Sequence, residues 1–428
     1  MGKKVRQVLM VFSLGLLIVS YPGGVLAEKV INYWNFVSEY EAAYKDYYTK
    51  VFSEEFQKLH PDFRLNAVTI PYEGSDAKYI AAFSARINAP DMFVGKVPYF
   101  AGGLGVADPA PADLQRIWGE VMVEKIQDFV KYEGKFYGWP LETDLGMTLF
   151  YNVDLFKQAG LDPESPPTTL TELLEYAKKP TKYGPTGVTQ AGFALRYSGN
   201  PRGIADKWLP FLHAFGGRLY GPQGKKASGY LDAPAAVESL QFYGDLVNKY
   251  KVSSVTIGKP MDAFSRGRAA MIYRESWVVG WLDQNAPDIN YRVAPLCKQE
   301  RYPGISLLFT QSNMVYKFSP YKDVVWDWMR FITTKQHDVN IAKILGTLPV
   351  FAENFKKMMS GRPDEEAVKV ILENPSSPYY EDPFINEIAF RVGEAVLEVL
   401  FNKKTAEEAL KDAAPDVDVL LARKELIK

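Results

Sequence analysis

Three places in the chain set aromatic rings beside groups that donate or accept hydrogen bonds. Trp34 is followed by Asn35, Trp139 stands shortly before Glu142 and Asp144, and Arg274-Glu275-Ser276-Trp277 runs as one block. A flat ring covers an apolar C–H face, while carboxylates, amides and a guanidinium fork engage hydroxyls that both donate and accept. Those are the two demands a sugar makes of a binding surface. The same mixture of rings and acids also suits a cationic metabolite such as a polyamine or quaternary amine. Glycoside hydrolysis needs only two placed acids, so Glu142 with Asp144, or Glu275, keeps that reading open. Local catalytic signatures are missing: there is no Gly-x-Ser-x-Gly, no phosphate-binding loop and no His-Glu-x-x-His. No catalytic residue is assigned.

Composition narrows the field. Lys+Arg 50 against Asp+Glu 51 gives a net charge of −1, which excludes a broadly basic nucleic-acid binder. The single cysteine, Cys297, excludes an internal disulfide framework and reads as a buried, inert thiol. His60, His213 and His337 lie far apart, so no histidine pair has local metal-ligand spacing. No metal and no cofactor is expected. A length of 428 residues makes two domains the starting expectation.

The first 27 residues read as a secretory signal peptide. Lys3, Lys4 and Arg6 precede an apolar run from Val8 to Val19, and Val25-Leu26-Ala27 puts small residues before the cleavage point. The run is shorter than the roughly 20 residues of a membrane span. Cleavage after Ala27 leaves 401 residues with a charge of −4, and no cysteine follows for a lipid anchor. The expected location is periplasmic or extracellular.

The elements that must position the polar–aromatic groups follow from periodicity. Val30 to Trp34 reads as a strand, and Tyr44, Tyr48, Phe52, Phe56 and Leu59 form one helical stripe that Pro61 stops. Phe63 to Ile70 is a second strand, Asp76 to Ile87 a helix and Pro90 to Gly95 a third strand. Strands alternating with helices predict a doubly wound α/β sheet, which places Trp34-Asn35 at a strand end where such sheets bind ligands. Residues 96 to 118, rich in Gly, Pro and Asp, read as surface loop. Met147 to Tyr151 and Ala269 to Tyr273 read as strands, and Asn152 starts a helix that ends at Gly160. Thr169 to Glu172 has capping-box spacing. Val237, Leu240, Tyr243, Val247 and Tyr250 form a core stripe, with Asp232 placed to cap their helix. Ser312 to Tyr316 is a strand, Val324 to Ile332 a helix, and helices fill the remainder after a break at Gly346 to Pro349.

Four stretches in this order resemble a known family. They are Gly134-Lys135-Phe136-Tyr137-Gly138-Trp139-Pro140 with Tyr151-Asn152-Val153-Asp154-Leu155-Phe156; Pro167 to Leu174; Phe264-Ser265-Arg266-Gly267-Arg268-Ala269-Ala270-Met271 with Trp277; and the helix from Tyr321 to Thr333 followed by Gly346-Thr347-Leu348-Pro349. Together they are similar to the extracellular solute-binding proteins of ABC importers, in the maltose-binding-protein-like family 1. The resemblance implies a periplasmic-binding-protein-like α/β fold of two lobes with the ligand cleft between them. It implies chain crossovers near Glu142 to Gly146, Pro295 to Gly304 and Gly346 to Val350. The lobes are then 28–143 with 304–346, and 144–303 with 347–428.

The resemblance also implies where the ligand sits. Asp144 matches the crossover acid that meets ligand hydroxyls, and Trp277 the aromatic on which sugar stacks. Glu142, Trp139, Arg274 and Glu275 approach the same cleft, as do Gln311 and Ser312 after the second crossover. Each has a structural alternative: Trp34 in the core, Trp139 as a brace for the hinge, Asp144 as a cap, and Arg274 with Glu275 as an ion pair. Lys96 at a cleft edge would disfavour a cationic ligand. The implied function is capture of a carbohydrate, an oligosaccharide in the first instance, for delivery to the membrane permease of an ABC importer. The alternatives are a binding protein for a cationic metabolite and a secreted glycoside hydrolase.

Overall fold

The structure, a computed structural model, describes residues 28–423 except 36–40, 72–73, 143–145, 300–304, 306, 308–309 and 376. The signal-peptide segment and Asp144 therefore lie outside the described residues. The described residues hold twelve strands: β1 Lys29–Asn35, β2 Phe63–Thr69, β3 Met92–Gly95, β4 Lys131–Tyr132, β5 Lys135–Phe136, β6 Gly138–Glu142, β7 Met147–Asn152, β8 Lys182–Gly184, β9 Gly187–Phe193, β10 Ala269–Glu275, β11 Tyr291–Ala294 and β12 Gln311–Val315. They build two five-stranded sheets, ordered β2-β1-β3-β12-β6 and β11-β7-β10-β9-β8, beside the small hairpin β4-β5. Each sheet carries its own helices, giving two α/β lobes.

The first sheet is parallel where chain neighbours alternate with helices. β1 pairs in register with β2 from Lys29↔Phe63 to Asn35↔Thr69, and with β3 at Tyr33↔Met92. β12 returns from far along the chain and runs antiparallel to both β3 and β6, with Ser312 opposite Gly95 and Gln311 opposite Glu142. In the second sheet β7 is wholly buried and lies antiparallel between β11 and β10, and β9 pairs parallel to β10. Runs of apolar residues without alternation fit strands covered on both faces.

The predicted stripe along helix Glu41–Glu54 is the packing face: Tyr44, Tyr48 and Phe52 are buried, and Tyr48, Phe52 and Phe56 meet Trp328 edge-on or tilted at 5.2–5.6 Å. Leu59 leaves the stripe and is 65% exposed. The chain tightens into a 3-10 turn at Phe56–Lys58, which changes the residue spacing and carries Leu59 off the buried face.

Two expectations are corrected. The segment 96–118 is not a surface loop but holds a buried π-helical turn, Pro98–Gly103, and a helix, Ala112–Val121, that buries Leu114 and Trp118. Gly95 just before it and Gly103 within it serve close contact, whereas Gly105 takes a left-handed φ of 62°. A Cβ on Gly95 would sit 2.1 Å from the Phe100 ring, and one on Gly103 2.3 Å from the Pro383 carbonyl. Asp232 does not cap helix Pro234–Asn248; Ala233 stands there, and the Asp232 carboxylate accepts from the Gly229 amide instead. The caps at Asn152 and at Thr169 with Glu172 form as the spacing predicts. Among the described residues no helix is long and apolar enough to cross a membrane.

Candidate functional site

The strand directions gather one edge of the first sheet. β1, β2, β3 and β6 all end there, at Asn35, Thr69, Gly95 and Glu142, and antiparallel β12 begins there at Gln311-Ser312. Asn35 is 1% exposed, and among the described residues neither atom of its amide has a partner. Thr69 Oγ1, Gln311 Oε1 and Ser312 Oγ are buried without partners as well. An unmet buried polar group costs about 1–3 kcal/mol. Several on one strand-end edge mark a place that ligand or water groups complete.

Trp34 borders this edge, half-buried, with its ring 5.9 Å from that of Tyr79 and the Lys78 ammonium 4.9 Å over it. Trp139 sits differently. Expected as a ligand plate, it is 2% exposed and packed between Trp118 and Phe351 at 5.6 and 5.3 Å. A ring enclosed in this way braces strand β6 and presents no open face. Glu142 keeps its backbone place opposite Gln311, while its side chain is outside the described residues.

The second lobe contributes the end of β10, where Glu275 lies opposite Met147 at the start of β7. The Glu275 carboxylate is paired with the Lys207 ammonium and, at 3.0 Å, with Arg274 Nε. All three side chains are nearly or fully buried. Burial alone would push the Glu275 carboxyl up, but the two cations outweigh it and hold it at about 2. Burial pulls the Lys207 ammonium down from its ordinary value, against the attraction of Glu275. Glu275 is thus a fixed anion, not a proton donor held ready near neutrality. The Arg274 guanidinium also lies 5.0 Å from the centre of the Trp277 ring, so the ion triad orients that tryptophan. Next to it, Ser276 Oγ is buried without a partner among the described residues.

A third group had no signal in the sequence. Asp76, in the first turn of helix Ser75–Ala85 of the first lobe, receives both 2.8 and 3.0 Å bonds from Arg202 Nη1 of the second lobe. Asn386 Nδ2 adds a 3.3 Å bond to the same carboxylate. Gly393 allows this arrangement, because a Cβ there would lie 1.9 Å from the Pro201 carbonyl. Helix Ile385–Leu400 therefore packs backbone-close against helix Pro201–Ala214, which brings Asn386 beside Arg202. Tyr99 Oη, Asn386 Oδ1 and Glu387 Oε2 are buried without hydrogen-bond partners among the described residues. These residues are 126 and 310 positions apart along the chain where they bond, so no local motif could announce them. The lobes touch again where the Lys125 ammonium donates to the Leu372 carbonyl at 3.0 Å.

A cavity of about 600 Å³ lies beyond, bounded by His213, Arg218, Tyr220, Ile305, Tyr379 and Glu381. No described candidate residue lines it. Among the described residues no cluster of His, Cys, Asp and Glu could hold a metal ion.

Known proteins share this architecture. The family model for bacterial extracellular solute-binding proteins matches residues 41–338. A protein of Brucella abortus (strain 2308), designated a binding protein, is 24% identical over 399 residues, covering 90% of this chain and 92% of its own length. The arabinooligosaccharide-binding protein of Bacillus subtilis (strain 168) is 25% identical, over 63% of this chain and 60% of its own. Among solved structures, an ABC transporter solute-binding protein from Thermotoga lettingae, bound with α-D-tagatose, superposes with a TM-score of 0.78 at 24% identity, over 92% of this chain and 100% of that one. The two-sheet fold, the crossing strand β12 and the family match agree: the chain belongs to the bacterial extracellular solute-binding proteins.

Proposed function

We propose that this protein captures a carbohydrate, an oligosaccharide in the first instance, between its two lobes and delivers it to the membrane permease of an ABC importer. The lobes run over 28–143 with 304–346 and 144–303 with 347–428, and residues 1–27 direct export to the periplasm or cell exterior. The observation that carries the reading is the mixed character of the unmet groups. Asn35, Ser312, Ser276 and Tyr99 offer donors, and Asn35, Gln311 and Asn386 offer acceptors. Hydroxyls, which both donate and accept, match such a set. An organic cation would call for free carboxylates, yet Glu275 and Asp76 are already paired with Lys207, Arg274 and Arg202. Trp34 and Trp277 stand near these groups as apolar faces, and Asp144 is proposed as the crossover acid. The solved relatives named for maltose, from T. maritima, and for mannotriose agree in ligand class with this reading.

The test is a thermal-shift screen followed by calorimetry with D-tagatose, maltose, mannotriose, spermidine, choline and glycerol 3-phosphate. A ligand bound only by the folded state must raise the melting temperature. Binding confined to a sugar supports the reading. Binding confined to spermidine or choline replaces it with the cationic alternative, and release of sugar products during incubation replaces it with the hydrolase.

A further inference from the structure

We propose that a single small anion, chloride in the first instance, binds in a cavity of the second lobe lined by Arg196, Lys207, Tyr243 and Arg274. The cavity lies at the ends of β9 and β10, which pair in parallel. It measures about 10 Å³, room for one water-sized body and not for a sugar ring. The site needs nothing in the cleft, so it stands apart from the carbohydrate reading, although Arg274 also lies beside the Trp277 ring.

Separate elements bring the four side chains together. Arg196 follows β9, and its guanidinium rests on Gly203, where a Cβ would lie 2.5 Å from Nη1. Lys207 stands one turn further along that helix, Pro201–Ala214, so ammonium and guanidinium share a face. Arg274 comes from β10. Tyr243 comes from helix Pro234–Asn248, its ring docked edge-on against Phe211 at 4.9 Å.

The polar side chains around this space are rich in unspent donors. Lys207, nearly buried, has three N–H groups and among the described residues donates to Glu275 alone. Arg274 spends Nε on Glu275, and neither Nη has a hydrogen-bond partner among the described residues. Arg196 donates only from Nε, to the Ser198 carbonyl at 3.4 Å. The Tyr243 side chain is fully buried, and its hydroxyl has no partner among the described residues. Tyr273 is already engaged, accepting from the Cys297 amide at 3.1 Å. No carboxylate lines the cavity. Glu275, close by, is committed to Lys207 and Arg274, and Asp206 acts on Lys207 from its own helix while Arg196 repels it. Three cations against these two carboxylates leave one positive charge over. A buried charge in excess is costly until a counter-ion meets it. A water there has two protons of its own to place among donors, whereas a halide ion only accepts.

The test is thermal melting of the full chain, free of sugar, in mixtures of sodium chloride and sodium gluconate at constant total salt. Gluconate is too large for the cavity, so the ionic strength stays fixed while the fitting anion varies. The melting temperature should rise with chloride along a saturating curve, and bromide should act in the same way. Tyr243→Phe removes one donor and keeps the ring, so the half-saturating chloride concentration should increase about tenfold. In crystals grown with bromide, an anomalous peak should sit between Lys207 Nζ, Arg274 and Tyr243 Oη; this wild-type measurement decides the matter should the variant fail to fold. Equal melting in chloride and gluconate overturns the proposal, as does a water in place of the bromide peak. A bromide peak without a saturable response in solution marks an adventitious ion only and overturns it too. So does an unchanged half-saturation in Tyr243→Phe. None of these results bears on sugar capture, which the ligand screen tests separately.

Discussion

Replacing Glu275 by Gln tests the electrostatic frame of the second lobe. The wild-type carboxyl is held at about 2 against an ordinary 4.5, wholly buried between Lys207 and Arg274. A depressed carboxyl contributes stability that is present above its unfolded value and lost as the pH falls through its folded one. At roughly 1.4 kcal/mol per unit, the difference is about 3 kcal/mol at pH 7. Glu275→Gln should lose about that much in urea unfolding at pH 7, since Lys207 and Arg274 are left facing each other with no anion. The gap between wild type and variant should close as the pH is lowered from about 4.5 toward 2. Adding Lys207→Met to the Gln variant should recover part of the loss, because it removes the stranded cation. A Gln variant as stable as wild type at pH 7 would refute the account of Glu275 as a fixed structural anion. So would a gap that persists unchanged at the lowest pH.

Three other substitutions separate folding from binding. Ser312→Ala removes an unmet buried hydroxyl; the unliganded protein should be no less stable, and up to about 1 kcal/mol more so, while affinity falls, as parallel melts and titrations will register. Trp277→Ala should weaken binding by about 2 kcal/mol with a smaller effect on the melting temperature; equal affinity with a lowered melt would assign the ring to the core. Arg202→Ala breaks the contact with Asp76 across the lobes, so affinity should drop by about 1–3 kcal/mol while the radius of gyration of the liganded protein rises; unchanged scattering and affinity would remove the pair from closure.

Much was legible in sequence where the cause is local. Repeating apolar positions marked the helix of Tyr44, Tyr48 and Phe52, and the cap at Asn152 and the box at Thr169 formed, because such contacts lie within one turn. The order of motifs identified the family and, through it, the two-lobed fold. Residue type alone could not say which tryptophans stand open: Trp34 borders the strand-end edge while Trp139 is sealed between Trp118 and Phe351. Nor did glycine content separate a loose loop from tight packing at Gly95 and Gly103, since the neighbours that forbid a Cβ at Gly103 come from Pro383, far along the chain. The bonds that Asp76 receives from Arg202 and Asn386 arise only when the lobes meet. Periodicity and capping act over a few residues and are written in the local sequence. Desolvation and charge pairing depend on what the rest of the chain brings alongside, and for this protein that was decided by the approach of one lobe to the other.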